Sequence, residues 1–310
     1  MIIYESNKNW LRDVGHLYKS WTMQKVLRST LLIAAATAII CVFYMEVFAW
    51  GRESSKLDIT IFSLLGVVLS ILLSFRTNSA YDRWWEGRKL WGSLVNNSRN
   101  LAIYLHSALP DNDMDSRSYL ANRISNFAIA LKEHLRKGTN VDELIMLSAQ
   151  EKEKYNSKAH IPNYIAYEIV QRIQDVHNAG HISMADHMNI KSHSQELLNI
   201  SGACERIKKT PIPFSYNVYL KLFITFYAVG LPFALIPVFG YWSILLVAFV
   251  FFAFIGIELM AEEIEDPFGL DCNDLPTGDI ANTISKNVFE LLEINECKKD
   301  IPQEIYSKVF

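Results

Sequence analysis

The sequence predicts an all-α membrane protein in which four apolar helices are joined to a polar helical region. Four stretches approach the roughly 20 apolar residues that a helix needs to cross a hydrocarbon core: residues 29–45, 59–75, 222–237 and 242–260. The chain between 76 and 210 is polar, has helical periodicity and carries few strand signals. Lysine and arginine are concentrated on one side of the apolar stretches. Together these observations predict a helical membrane part and a helical attachment.

The apolar stretches have the features of membrane spans rather than of buried helices in a soluble protein. The second span is uncharged and follows Asp58, which we expect to cap the helix. The third and fourth spans are separated by only four residues, which predicts a transmembrane hairpin. Aromatic residues at the far end of the first span suit a membrane interface: Phe43, Tyr44, Phe48 and Trp50.

The basic residues predict the orientation of the chain. They flank the spans on the side of the polar region: Lys19, Lys25, Arg28, Arg76, Arg83, Arg88, Lys89, Arg206, Lys208, Lys209 and Lys221. The loop between the first two spans holds only Arg52 and Lys56. We therefore expect both termini and the polar region to be cytoplasmic. Residues 1–21 lack an apolar stretch with a cleavage site, so no signal peptide is expected.

The polar region should contain several helices, because proline and glycine interrupt it at intervals: Pro110, Gly138, Pro162 and Gly180. Ser183 is a candidate cap for the helix that follows. Pro211 and Pro213 forbid a continuous helix into the third span. The predicted division of the chain is 1–75, 76–215, 216–262 and 263–310. Four widely spaced cysteines predict free thiols and neither a disulfide framework nor a zinc ribbon: Cys41, Cys204, Cys272 and Cys297.

The second span carries the most informative pattern. Val67, Ile71 and Phe75 recur every four residues and therefore stack along one helix face, about 6 Å apart per step. Beside them runs a stripe of small residues: Ser63, Gly66, Ser70 and Ser74. If several copies of this helix surround an axis, the larger residues form three apolar rings that can gate ions by dewetting. Ordinary helix packing is the alternative, and spacing alone favours it.

Other features are less specific. An acidic cluster at the end of the fourth span would concentrate cations or simply form a solvated helix end: Glu258, Glu262, Glu263, Glu265 and Asp266. His177 and His181 stand one helical turn apart, but without a third ligand a structural role is favoured, and no metal or cofactor is expected.

The net charge of −3 implies no nucleic-acid partner. Nucleotide-binding and hydrolase motifs are absent from the sequence, so no enzyme is expected.

Three segments together resemble the bestrophin family, particularly its bacterial members: SLLGVVLSILLSFRTNSAYDRWWEGRKLWG, CERIKKTPIPFSY and EEIEDPFG followed by NDLP. The resemblance implies an all-α homopentameric ion channel in which five copies of the second span line a narrow neck. The family's neck positions fall on Val67, Ile71 and Phe75, which reverses the preference for ordinary packing. A second narrowing of the family falls near Ala185. The implied partners are further copies of the chain, monovalent ions and lipid of the bacterial inner membrane.

Two departures from the animal members affect this expectation. A dense acidic run that helps them to bind calcium is reduced here to Asp271 and Asp274, so calcium gating is not expected. The neck has two aliphatic rings and one aromatic ring, which resembles the bacterial pattern. Conduction of monovalent cations such as sodium is therefore favoured, with chloride as the alternative. A secondary transporter and a non-conducting membrane scaffold are the competing hypotheses from other classes.

Overall fold

The computed structural model describes residues 21–47, 58–271 and 273–294, and within these ranges the regular structure is helical. The nine α-helices found there are α1 (Trp21–Val42), α2 (Ile59–Ala108), α3 (Met114–His134), α4 (Ala149–Asn156), α5 (Ile161–Asn178), α6 (Met184–Lys209), α7 (Phe214–Phe239), α8 (Trp242–Ile264) and α9 (Thr277–Leu291). A π-helical stretch, Phe43–Val47, extends α1. The first 20 residues, the loop containing Arg52 and Lys56, Cys272 and Cys297 lie outside the described residues.

Four of these helices are long and apolar enough to cross a membrane, and they correspond to the four predicted spans: α1 with its extension, α2, α7 and α8. Asp58 caps α2 as predicted, because its side chain accepts a hydrogen bond from the Thr60 N–H at 2.9 Å. The third span begins earlier than expected, directly after Pro213. It also continues past Pro237 and ends at Gly240, whose φ of 53° suits only glycine well.

Helix α2 connects the apolar part to the polar part without interruption. Its 50 residues correspond to roughly 75 Å at 1.5 Å per residue. Near its start, Leu69 and Leu73 pack into an apolar core with α7 and α8. Farther along, Trp91 and Leu94 belong to a second core, shared with α3, α5, α6 and α9. The predicted division at residue 75 therefore falls inside one continuous helix.

The predicted breaks in the polar region are confirmed. Helix α2 ends before Pro110, α3 ends before Gly138, and Pro162 lies in the first turn of α5. The Ser183 side chain caps α6 by accepting from the Asp186 N–H at 3.1 Å. The short helix α4 was not predicted. The described thiols Cys41 and Cys204 are free, as expected, and both are buried.

Candidate pore-lining face and its supporting ion pairs

The three predicted neck residues share an exposed face of α2. Val67, Ile71 and Phe75 are 58%, 51% and 63% exposed in a single chain. Leu69 and Leu73, at 0% and 1%, point in the opposite direction. At 100° per residue the centres of the two sets lie about 180° apart around the helix. Helix α2 thus buries one face in its own chain and presents an apolar face outward.

The small residues beside this face serve two purposes. Gly66 lets α7 approach, because a Cβ at this position would lie 2.9 Å from the Tyr227 Oη. Ser63 and Ser70 are exposed and donate their hydroxyl hydrogen bonds to α2 itself, at Ile59 O (3.1 Å) and Gly66 O (2.8 Å). These serines therefore keep their polar groups satisfied without a partner helix.

The exposed face continues beyond Phe75 with polar side chains. Asn78 and Asp82 are exposed and lie on the same side of α2 by helical periodicity. The neighbouring aromatic rings of Tyr81, Trp84 and Trp85 stack on one another, with centroids 6.2–6.5 Å apart. Two turns beyond Phe75, this side of α2 therefore carries a carboxylate.

Arg76 anchors α2 immediately after the apolar stripe. Its side chain is 1% exposed and lies on the buried face. The Arg76 Nη2 is 2.7 Å from Glu265 Oε2, and its Nε is 3.7 Å from the fully buried Glu258. Glu265 also accepts a hydrogen bond from the Ile212 N–H at 2.8 Å. This cluster joins α2, the end of α8 and the segment between the two prolines.

Arg83, two turns farther along, extends the same junction. It donates to the carbonyl oxygens of Glu265 (3.0 Å), Ile207 (2.6 Å) and Thr210 (2.5 Å). From α7, the Tyr216 hydroxyl donates to Leu72 O at 2.9 Å. These contacts fix the rotation of α2 about its axis, and with it the direction of the apolar face.

The predicted acidic cluster is brought together at this junction, where basic and hydroxyl groups meet it. Besides the two carboxylates that face Arg76, Glu262 pairs with Lys221 at 3.0 Å and Asp266 with Lys208 at 2.5 Å. Glu263 accepts from the Thr22 hydroxyl at 2.7 Å. From the sequence, Arg76 served only as a signal of orientation, and this pairing was not predicted. The available signal was that a basic residue and an acidic cluster each directly follow an apolar run.

The remaining predicted positions lie far from this junction or apart from one another. Ala185 is exposed in the first turn of α6, roughly 36 Å along that helix from Lys209. His177 and His181 do not lie on one helical turn, because α5 ends at Asn178. Its ring stacks instead on His187, with centroids 4.7 Å apart.

Asp274 is buried in the loop that follows α8. Its Oδ2 accepts from the Asp271 N–H at 2.6 Å, while its buried Oδ1 has no hydrogen-bond partner. Burial raises the pKa of the Asp274 carboxyl to about 7, and nearby carboxylates add to this increase. The hydrogen bond from the Asp271 N–H acts in the opposite direction and lowers the pKa. Gly269 is required beside it, because a Cβ would lie 2.6 Å from Oδ2. The Asp274 carboxylate is therefore a structural part of this loop.

The fold and this face define a polytopic helical membrane protein with an outward apolar stripe. A family model described as bacterial/fungal bestrophin protein matches residues 1–290. The chain therefore belongs to the bestrophin family, as the sequence motifs predicted; this is a family of channels rather than of enzymes.

Individual relatives agree with this placement. A voltage-dependent anion channel-forming protein of Nostoc, alr2987, is 37% identical over 74% of this chain and 76% of its own length. YneE of Escherichia coli K12, which carries the same descriptive name, is 30% identical over 98% of this chain and 97% of its own. The crystal structure of a Klebsiella pneumoniae bestrophin homologue with a point substitution has a TM-score of 0.79 at 29% identity, covering 86% and 98% of the two chains.

Proposed function

We propose that this chain is the subunit of a homopentameric ion channel in which five copies of α2 line a narrow apolar neck. The observation that carries the proposal is the exposure of Val67, Ile71 and Phe75 on a face held in place from behind by the buried Arg76. Large apolar side chains on a fixed helix face are covered either by lipid or by other helices, and copies of the same helix around an axis would cover them while enclosing a pore. Rings of such residues impose a dehydration cost on ions and can gate their flow.

Within this proposal, the chain divides as predicted into two membrane parts and two cytoplasmic parts, and both termini face the cytoplasm of a cell membrane. Ala185 lines a second narrowing at the cytoplasmic exit, and its exposed position at the end of α6 distant from the membrane junction supports this placement. The exposed apolar residues of α1, α7 and α8 then contact lipid or a neighbouring subunit.

Whether the channel conducts anions or cations is a separate question. The names of the relatives favour anions, so they shift the balance from the sodium preference stated above to the chloride alternative. One observation still favours cations: Asp82 lies exposed on the neck side of α2, two turns beyond Phe75. A ring of five carboxylates there would attract cations and repel anions. The reversal potential under a potassium chloride gradient distinguishes the two, because its sign follows the permeant ion.

The neck itself is tested by conductance. We expect Ile71→Ala to widen the middle ring and to raise the single-channel current of purified protein in planar bilayers. Phe249→Ala, at an exposed aromatic of α8, removes a large apolar side chain elsewhere and should leave the current unchanged. An unaltered current in Ile71→Ala would contradict the proposed neck. Saturable, substrate-coupled flux in liposomes would indicate a transporter instead.

A further inference from the structure

Three potential metal ligands from separate helices meet in the cytoplasmic helical region. His134 is the last residue of α3, His160 is the N-cap of α5, and Glu205 lies one turn before the end of α6. One ligand atom from each lies within 4.8 Å of the other two. The side chains are 20%, 27% and 17% exposed, so the group is sheltered but reachable from solvent.

The distances suit a small divalent ion. His134 Nε2 lies 3.4 Å from Glu205 Oε1, and His160 Nε2 lies 2.6 Å from the same oxygen. Bond lengths of about 2.0–2.1 Å to zinc place tetrahedral ligands roughly 3.3 Å apart. The first distance already fits, and the second must lengthen by less than about 1 Å.

The surroundings orient the carboxylate and keep one imidazole available. Lys209 Nζ holds Glu205 Oε2 at 2.6 Å, which leaves Oε1 for the two histidines. Burial, together with the nearby His160, lowers the pKa of the His134 imidazole below its usual value. A neutral imidazole and an ionised carboxylate are the forms that bind metal.

We propose that His134, His160 and Glu205 form a binding site for a divalent transition-metal ion such as Zn²⁺. Two imidazoles and one carboxylate, with the fourth position open to water, are a ligand set typical of zinc and unlike the all-oxygen sites of calcium and magnesium. Binding has a local cost: His160 Nδ1 accepts from the Asn163 N–H at 3.2 Å, and it must take a proton once Nε2 is a ligand. The hydrogen bond between His160 Nε2 and Glu205 Oε1 is also given up, and the bonds of both atoms to the metal replace it. The site joins α3, α5 and α6 and does not depend on the channel function proposed above.

Titration calorimetry of the full-length protein, free of affinity tags and treated with chelator, tests the proposal. We expect one Zn²⁺ per chain, with Ca²⁺ and Mg²⁺ unable to compete at equal concentration. His134→Gln and Glu205→Gln should each weaken binding by more than roughly 100-fold, since even outer-shell changes cost about 10- to 100-fold. His187→Gln is the matched control, because it removes one ring of the stacked pair His177–His187, which has no third ligand among the described residues.

Absence of saturable Zn²⁺ binding would overturn the proposal, as would unchanged binding in both glutamine variants. If these variants fail to fold, X-ray absorption spectroscopy of the zinc-loaded His187→Gln protein gives an independent answer. Two imidazoles in the first shell support the site. One imidazole or none contradicts it.

Discussion

Arg76 is the buried cation on which the orientation of α2 depends, and its removal should destabilise the protein strongly. Arg76→Met leaves Glu258, 0% exposed, buried without its nearest positive charge. Losing one partner of a buried ion pair typically costs about 3–5 kcal/mol. We expect a correspondingly large loss of thermal stability in detergent, measured by intrinsic fluorescence.

The control for Arg76 is an exposed ion pair. Arg206 lies 2.9 Å from Glu86, and the two side chains are 66% and 43% exposed, so Arg206→Met should cost about 0–1 kcal/mol. The double variant Arg76→Met with Glu258→Gln should recover part of the loss, because no unpaired charge then remains at residue 258. Equal losses for Arg76→Met and Arg206→Met would show that the buried cluster does not support α2.

Asp274 should make stability depend on pH. Its pKa is about 7 in the folded protein against 3.8 for an ordinary aspartate, so the folded state binds more protons between these values. Stability should therefore fall as pH rises from about 4 to 7, by at most about 1.4 kcal/mol per unit, and level off above. The asparagine side chain in the Asp274→Asn variant carries no charge at any of these pH values. The stability of this variant relative to the unmutated protein should therefore increase with pH. Parallel melting curves from pH 5 to 8 would contradict this, and Asp279→Asn, an exposed carboxylate nearby, is the control.

Single residues also show where sequence reasoning reaches its limit. The stripe of Val67, Ile71 and Phe75 could be predicted, because helical periodicity alone places residues four apart on one face. Its support by Arg76 could not, because the pairing with Glu265 spans 189 positions and depends on how α2 and α8 pack. The cluster of His134, His160 and Glu205 was missed for the same reason.

At the scale of elements, α2 depends on a close contact at Gly87. A Cβ there would lie 3.1 Å from Pro267 Cγ and 3.2 Å from the Phe268 ring. Both residues are buried, and the Phe268 carbonyl is held by Arg136 Nε at 3.1 Å, so the loop has little freedom to move. Gly87→Ala should therefore cost about 1–3 kcal/mol of stability, as overpacking usually does.

The same helix provides the control for this contact. Gly92 has no neighbour within 4 Å of an added Cβ. Gly92→Ala should be neutral or should stabilise the protein by up to about 1 kcal/mol through helix propensity. Thermal unfolding of the two variants separates packing from propensity. A gain of stability in both would show that α2 tolerates a side chain against the loop.

Most elements could be predicted because local chemistry determines them. The start of α2 follows from the Asp58 cap, and the bend before α7 follows from Pro211 and Pro213. The start of α7 was placed too late, since hydropathy identifies only the apolar portion of a helix. Helix α4 was missed because it has eight residues, too few for a clear period, and begins at a capping box of Ser148 and Glu151.

At the scale of the whole molecule, one chain leaves an apolar face of α2 uncovered. The core of the polar region and the core of the membrane part are both complete within one chain. The exposed stripe of α2 joins neither. A stripe of this kind is satisfied by lipid or by further copies of the chain, and only the second arrangement produces a pore.

Contact of the stripe with lipid and contact with further copies of the chain predict different masses for the purified protein. They also predict different responses of cysteine variants to a thiol-binding ion. If five chains surround the stripe, native mass spectrometry should give five times the mass of one chain, and the Val67→Cys channel should be blocked by Cd²⁺ and recover with a chelator. Leu69→Cys points into the core of its own chain and should resist the block. The unmutated channel is the control, because Cd²⁺ can also reach the histidine cluster. A smaller oligomer would contradict the proposed pentamer. Equal block of both cysteine variants would contradict a pore lined by the exposed face of α2.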